Sequence, residues 1–276
     1  MESDSATENM PINGLVKKFQ DKAKGNILLW ATTFSLFLLA IYWEVFSTPA
    51  KRPFSISDPR ISNPFVEYER YDNFKLASLC VLLPLLAMSL LILVDNQRDK
   101  FHRFYKCVSV FTFSTGLSVF LTTFAKVRLT KLRPDFLARC GPILSKTDAR
   151  TILYTEEICS MPLGEFLLDD GYKSCPSGHS TLAVSGMLFV SLWLYHTYGK
   201  NLSRANNSGR IMRILCFSPM LLAIDICASR IYDFRHDYFD ILCGGTVGAL
   251  STIIGVVVLD LSEPVIDAEA EVILPV

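Results

Sequence analysis

The stretch from Ser229 to Leu242 places charged and histidine side chains directly before an uncharged apolar run, Ile241 to Leu259. Within this stretch His236 and Asp240 are four residues apart, which predicts that both lie on one helical face within hydrogen-bond reach. The carboxylate would fix the imidazole tautomer and leave the other ring nitrogen free to attack. Arg230 is close enough in sequence to hold an anion during that attack. The alternative interpretation is a helix-capping pair.

A second stretch, Pro176-Ser177-Gly178-His179, predicts a turn directly before a helix. Glycine allows close approach of the backbone, and the free N–H groups at a helix start can bind an anion. His179 would then stand beside the bound anion. Taken alone, the tetrapeptide also fits a histidine whose polar atoms are simply satisfied by neighbours.

The third stretch contains Lys126 and Arg133, which are seven residues or two helical turns apart. This spacing predicts that both project from one face at the end of a helix. Pro134 disfavours helix at Arg133 and predicts that the helix ends there. Considered alone, the two side chains also fit cations that extend along a membrane edge.

The composition indicates an all-α polytopic membrane protein. Half of the 276 residues are apolar, 20% are charged and the mean hydropathy is +0.33, which is too apolar for an ordinary soluble domain. The net charge is zero, so the chain has no excess positive charge that would indicate nucleic-acid binding. Windows of about 20 residues, the span of a bilayer core, predict a bundle of six transmembrane helices. Their predicted bounds are Ile27 to Phe46, Phe74 to Val94, Cys107 to Ala125, Thr181 to Tyr198, Ile211 to Ala228 and Phe239 to Leu259.

These spans divide the chain into three parts. We expect a cytosolic N-terminal segment at 1–26, a six-helix transmembrane domain at 27–259 and an acidic tail at 260–276. Lysines and arginines beside the spans place both termini in the cytosol. The glycosylation sequons at Asn201 and Asn206 argue against this topology, because they fall in a loop that it places in the cytosol.

The eight cysteines divide unevenly. Five lie in the apolar spans and are expected to be small buried hydrophobic residues. The other three, Cys140, Cys159 and Cys175, share the long loop after the third span. If that loop faces an oxidising lumen, a disulfide between Cys140 and Cys159 can form, and the sequence leaves this open.

The six spans bring the two histidines, the carboxylate and the three cations to one side of the membrane. Fixed cations can neutralise the negative charge on the phosphate oxygens in the transition state of phosphoryl transfer. One histidine can attack phosphorus while the other protonates the departing oxygen. Because no cluster of Asp and Glu is present to hold Mg²⁺, we expect the reaction to need no metal and no cofactor.

The three stretches match in order and spacing the pattern KxxxxxxRP, PSGH and SRxxxxxHxxxD. In these residues the chain resembles the type 2 phosphatidic acid phosphatase superfamily and, within it, the lipid phosphate phosphatases. The resemblance implies His236 as the nucleophile, Asp240 as its orienting residue and His179 as the acid. It also implies an extracytoplasmic site without metal. The implied phosphate-binding residues are Lys126, Arg133, Ser177, Gly178 and Arg230.

The flanking sequences RPDFLARC and KSCPSGHS are most similar to fungal enzymes that act on phosphatidate, lysophosphatidate and diacylglycerol pyrophosphate. The resemblance therefore implies a lipid phosphatase that works through a phosphohistidine and whose partners are phospholipid substrates and membrane lipid. We expect it in the Golgi, vacuole, endoplasmic reticulum or plasma membrane, with a lumenal or extracellular active site.

Other functions share these residues. A sugar-phosphate or sphingoid-phosphate phosphatase of the same superfamily is one alternative, and six membrane spans argue against a soluble haloperoxidase. A transporter of phosphorylated molecules would need charges along a path at mid-membrane. The spans between the motifs are mostly uncharged, which argues against a transporter, although Asp225 is an exception that the sequence does not explain.

Overall fold

The computed structural model describes the backbone of residues 12–95, 100–143, 153–200, 202 and 207–258, with side chains from residue 27 onward. The predicted acidic tail at 260–276 and the sequons at Asn201 and Asn206 lie outside these described residues. The described α-helices are α1 Ile12–Phe46, α2 Asn73–Ala77, α3 Leu83–Val94, α4 Lys100–Leu129, α5 Phe136–Cys140, α6 Glu165–Gly171, α7 Gly178–Leu194, α8 Asn207–Leu215, α9 Pro219–Tyr232 and α10 Tyr238–Val258.

The described part of the chain is helical and contains no β-strand, only two isolated β-bridges. A π-helical segment, Ser78–Leu82, joins α2 to α3, and another, Tyr195–Gly199, extends α7. The predicted all-α class is therefore confirmed.

Five helical stretches are long and apolar enough to cross a membrane, and they correspond to five of the six predicted spans. Their bounds are Ile27–Phe46, Asn73–Val94, Lys100–Leu129, Asn207–Tyr232 and Tyr238–Val258. The remaining predicted span, Thr181 to Tyr198, corresponds to α7, which has 17 residues and is not among the five. The chain is thus an integral membrane protein.

Helix α7 occupies the centre of the bundle, where it packs against α4, α9 and α10. Small polar residues on α7 are buried there, including Ser185 and Ser191. The contact with α10 is close because Gly244 has no side chain: a Cβ atom at Gly244 would lie 2.4 Å from the carbonyl oxygen of Ser177. Small residues at such crossings let helix backbones approach each other inside a membrane.

The loop between α1 and α2 and the described segments between α4 and α7 form a separate layer with its own apolar core. The buried residues of this layer are Phe54, Ile61, Phe136, Cys140, Tyr154, Leu168 and Tyr172. A disulfide joins Cys140 to Cys159 in the same layer. The disulfide that the sequence left open is thus present, and it ties α5 to the segment that precedes α6.

Candidate active site

His236 lies in the turn between α9 and α10, two residues before α10 begins at Tyr238. The prediction that His236 and Asp240 share one helical face is therefore wrong, and the Nδ1 atom of His236 lies 3.8 Å from Oδ2 of Asp240, beyond hydrogen-bond distance. The capping alternative holds for Asp240 but not for His236: Asp237 accepts the Asp240 N–H, and Asp240 accepts the Asp237 N–H in return. The turn is closed by the carbonyl of Arg230, which accepts the N–H of His236 at 3.2 Å.

The imidazole of His236 is almost completely buried, with 3% of its surface exposed. Burial lowers its pKa to about 3, and although Asp240 opposes this shift, the positive charges of Arg133 and Lys126 add to it. The ring is therefore uncharged at neutral pH.

Asp240 is fully buried, yet each of its carboxylate oxygens has a hydrogen-bond donor. Oδ1 accepts from Nζ of Lys131 at 2.8 Å, and Oδ2 accepts from Oγ of Ser174 at 2.6 Å and from the N–H of Asp237 at 3.2 Å. Sequence reasoning missed both Lys131 and Ser174. The sequence could have indicated these two residues only by their nearness to the motifs: Lys131 lies between Lys126 and Arg133, and Ser174 lies two residues before Pro176.

The helix that carries Lys126 ends at Leu129, four residues before Arg133. Thr130 has a φ of 44°, a left-handed conformation that interrupts the helix. The prediction that Lys126 and Arg133 share one helical face is therefore wrong. Lys126 lies in the last turn of α4, and Arg133 lies in the loop that follows.

Arg133 is held by Asp170, which follows it by 37 residues. Its Nε donates to the carbonyl of Asp170 at 2.9 Å and its Nη2 to Oδ1 at 2.7 Å. Arg139 pairs with the other oxygen of the same carboxylate at 2.9 Å. Burial raises the pKa of Asp170, but the positive charges of Arg133 and Arg139 lower it more. The pKa of this carboxyl therefore lies well below its ordinary value, and the group is ionised.

Arg230 lies at the end of α9 with no exposed surface. Its Nη1 pairs with Glu69, its Nη2 donates to Oδ2 of Asp233 at 2.7 Å and its Nε donates to Oγ of Ser229 at 3.0 Å. Arg235 pairs with the same Glu69 at 2.9 Å. Glu69 comes from the loop before α2, a segment in which the sequence predicted no functional residue.

Ser177 caps the start of α7 and connects two of the motifs. Its side chain accepts from the N–H of Ser180, and its own N–H donates to the carbonyl of Asp240 at 3.0 Å. Gly178 faces the first motif, since a Cβ atom there would lie 3.5 Å from Nζ of Lys126. His179 donates from Nε2 to the carbonyl of Tyr71 at 2.9 Å, which places its proton on that nitrogen in the neutral ring.

These contacts connect all three predicted stretches at one end of the bundle. His179 interacts electrostatically with Arg230, His236 and Lys126, and His236 interacts with Arg133 and Lys126. The arrangement can surround an anion with cations and present two imidazoles to it. Among the residues that the structure describes, no group of three or more His, Cys, Asp or Glu side chains is placed to hold a metal ion.

The family model of the PAP2 superfamily matches residues 108–262, a range that contains all eight predicted site residues and more than half of the chain. The chain therefore belongs to the PAP2 superfamily.

Relatives agree with this assignment. Diacylglycerol pyrophosphate phosphatase 1 of Saccharomyces cerevisiae is 30% identical over 219 residues, which cover 77% of this chain and 72% of that protein. The probable diacylglycerol pyrophosphate phosphatase 1 of Schizosaccharomyces pombe is 30% identical over 233 residues, or 84% of this chain and 79% of that protein. Lipid phosphate phosphatase 1 of Saccharomyces cerevisiae is 27% identical over 233 residues, which cover 77% of this chain and 81% of that protein. No solved structure gives a significant match. The predicted enzyme class, a phosphoric monoester hydrolase, is confirmed by the family and these relatives.

Proposed function

We propose that this membrane protein is a lipid phosphate phosphatase that removes the terminal phosphate from phosphatidate, lysophosphatidate and diacylglycerol pyrophosphate. The observation that carries the proposal is the uncharged, buried imidazole of His236 beside the cations Lys126 and Arg133. The relatives, a diacylglycerol pyrophosphate phosphatase and a lipid phosphate phosphatase by name, support a lipid carrying a phosphate or a diphosphate as the substrate. Sugar phosphates and sphingoid phosphates are the competing substrates to test.

In the first chemical step, the free Nε2 atom of His236 attacks phosphorus. A P–N bond forms, the bond from phosphorus to the lipid oxygen breaks, and His179 gives that oxygen a proton. Nε2 of His179 keeps its proton on the Tyr71 carbonyl, so the transferred proton is a second one, on Nδ1. His179 takes up this proton from the P–OH of the substrate monoanion, because the phosphate beside the ring favours the imidazolium, and then gives it to the lipid oxygen. Water then attacks phosphorus, His179 accepts its proton, and the P–N bond breaks to release inorganic phosphate.

Asp240 stabilises His236 during this cycle. The ring becomes positively charged when it is phosphorylated, and a carboxylate 3.8 Å away then offsets that charge. Lys131 and Ser174 keep the carboxylate in place. Its role is electrostatic and orienting, and it takes no proton.

The phosphate oxygens are bound by Lys126, Arg133 and Arg230, with Ser177 and Gly178 at the start of α7. Cations placed where charge is spread in the transition state lower the barrier without a metal ion. Among the described residues, Arg133 pairs with Asp170 and Arg230 with Glu69, whereas Lys126 forms no ion pair with a carboxylate. We propose that the reaction is independent of Mg²⁺.

We further propose that α7 is the sixth membrane span and that the site faces the lumen or the cell exterior. With its π-helical extension through Gly199, α7 is long enough, at about 1.5 Å per residue, to cross a bilayer core of about 30 Å. The Cys140–Cys159 disulfide supports a non-cytosolic location for the loop layer, since disulfides persist in oxidising compartments. The compartments proposed are the endomembrane system and the plasma membrane.

The test uses the full chain purified in detergent micelles with phosphatidate and excess EDTA. We expect release of inorganic phosphate, loss of that release in His236→Gln, and no loss in His102→Gln, which changes an exposed histidine near the start of α4. Rapid quenching should trap an acid-labile phosphoprotein in wild type and in His102→Gln but not in His236→Gln. Activity retained in His236→Gln would refute the nucleophile, a requirement for Mg²⁺ would refute metal independence, and faster hydrolysis of sugar phosphates than of lipids would refute the substrate class.

A further inference from the structure

Asp225 is the only acidic residue between Asn207 and Tyr232, a stretch apolar enough to span a membrane. A carboxylate in such a stretch is costly and requires a partner or a function. In the structure its Oδ2 accepts a hydrogen bond from Oη of Tyr71 at 2.5 Å and pairs with Nη2 of Arg70 at 3.0 Å. Asp225 is therefore attached to the loop that precedes α2.

The same Tyr71 binds the proposed acid. While its hydroxyl donates to Asp225 on α9, its carbonyl accepts from Nε2 of His179 on α7. The neighbouring residues are attached as well: the N–H of Arg70 donates to Oδ2 of Asp233 at 3.2 Å, and Glu69 pairs with Arg230. The segment Glu69–Tyr71 is thus fastened to α9 at several points, and its last residue sets the orientation of the His179 ring.

We propose that Asp225 and Tyr71 are positioning residues for His179. Asp225 holds the Tyr71 side chain, the Tyr71 carbonyl holds Nε2 of His179, and Nδ1 is thereby directed to the departing oxygen. This inference rests on the proposed function, which assigns His179 as the acid. A looser His179 ring would slow the protonation of a leaving group and leave phosphate binding intact, because the phosphate ligands are held by other contacts.

The experiment compares leaving groups. An alkoxide such as the lipid oxygen of phosphatidate needs a proton as it departs, whereas a nitrophenolate leaves readily without one. For Tyr71→Phe in mixed micelles, we expect kcat/KM to fall about tenfold with phosphatidate and less than about threefold with p-nitrophenyl phosphate. Asp225→Ala should reproduce this pattern, and Asp225→Asn, which keeps an oxygen acceptor, should remain within about threefold of wild type on both substrates.

Two further comparisons complete the design. Tyr68→Phe is the matched control, since Tyr68 stands three residues earlier and is 85% exposed, so it should match wild type on both substrates. The double variant Tyr71→Phe/Asp225→Ala should be no slower than the slower single variant, because both changes break one connection.

Equal losses on both substrates in Tyr71→Phe and Asp225→Ala would overturn the inference and leave these residues with a structural role only. His179→Ala separates that result from a failure of the proposed function. The comparison uses kcat/KM, which reports the steps up to phosphorylation of His236 and excludes the later water attack. If His179→Ala lowers kcat/KM only for phosphatidate while Tyr71→Phe lowers it equally for both substrates, the positioning role alone is refuted. If His179→Ala lowers kcat/KM equally for both substrates, the acid assignment fails and the inference fails with it.

Discussion

The Nζ atom of Lys131 lies 2.8 Å from Oδ1 of Asp240, a carboxylate with no exposed surface. Lys131 also pairs with Asp237, and although burial lowers its pKa, these two carboxylates raise it more, so the lysine stays protonated. A residue of the first motif region thus neutralises the acidic residue of the third. The contact joins the loop after α4 to the first turn of α10.

Lys131→Met should destabilise the fold and slow the reaction. The buried Asp240 would keep only Ser174 and the Asp237 N–H as donors, and an undersatisfied buried acceptor costs about 1–3 kcal/mol. Because the lysine side chain of this pair is 34% exposed, solvent screens the interaction, and the lower half of that range is expected. Thermal unfolding in micelles measures the effect. Lys75→Met, which breaks the half-exposed pair with Asp72, is the control, and equal shifts in both variants would contradict the prediction.

Asp170→Asn should lower kcat/KM by about a hundredfold, because a displaced positioning group can cost that much in rate. The amide would weaken the charge-assisted bonds to Arg133 and Arg139. Asp169→Asn is a matched control one residue away, where the lost partner is the partly exposed Lys51. Phosphate release from phosphatidate measures both variants, and a loss of less than about threefold in Asp170→Asn would show that Arg133 does not need this anchor.

The pH dependence of stability should change when His236 is replaced. Its pKa is about 3 in the folded protein, whereas a histidine in the unfolded chain titrates near about 6.5. Between these values only the unfolded state binds the proton, so stability is lost as the pH falls from about 6.5 towards 3. In His236→Gln the unfolding temperature should therefore fall less than in wild type between pH 6.5 and 4.5. Parallel curves for the two proteins would refute the uncharged state of His236.

The Cys140–Cys159 disulfide should stabilise the loop layer. It closes a loop with a sequence separation of 19, for which the chain-entropy model gives about 3 kcal/mol. The double variant Cys140→Ser/Cys159→Ser should unfold at a lower temperature and should no longer respond to a reducing agent. Unchanged unfolding of wild type after complete reduction, checked by mass spectrometry, would contradict this.

Sequence reasoning reached the residues that carry charge chemistry because phosphate requires particular residue types at particular spacings. It could not reach their counter-ions, since pairing depends on the three-dimensional fold: Glu69 and Arg230 are 161 residues apart. The same limit applies to Asp225, whose partner Tyr71 precedes it by 154 residues. Local motifs therefore predict the catalytic and phosphate-binding residues, whereas only the three-dimensional structure shows the residues that pair with them.

The errors in helix placement also have physical causes. Helix α4 ends where Thr130 adopts a left-handed backbone conformation. Because β-branched residues rarely adopt this conformation, the sequence does not predict the helix end there. Helix α7 is a predicted span but is not among the five long apolar helices, because its α-helical part has 17 residues before the π-helical segment Tyr195–Gly199. It lies at the centre of the bundle. There it contacts protein on several sides, and serines such as Ser185 and Ser191 replace lipid-facing apolar residues.

The contact between α10 and α7 gives the most direct test of how the motifs are held together. A Cβ atom at Gly244 would lie 2.4 Å from the Ser177 carbonyl, a backbone atom that cannot rotate away. Gly244→Ala must therefore separate the two helices, at a cost of about 1–3 kcal/mol for overpacking. Since Ser177 also binds the Asp240 carbonyl, the separation moves the second motif away from the third.

Gly245→Ala is the matched control, because its Cβ atom would lie 3.6 Å from Cγ2 of Val184, an ordinary van der Waals contact. Both substitutions make the same chemical change in adjacent residues of one helix, so a general effect on α10 would appear in both. We expect Gly244→Ala to reduce kcat/KM on phosphatidate by about a hundredfold and Gly245→Ala to stay close to wild type. Equal activity in the two variants would mean that the spacing between Ser177 and α10 does not control the geometry of the site.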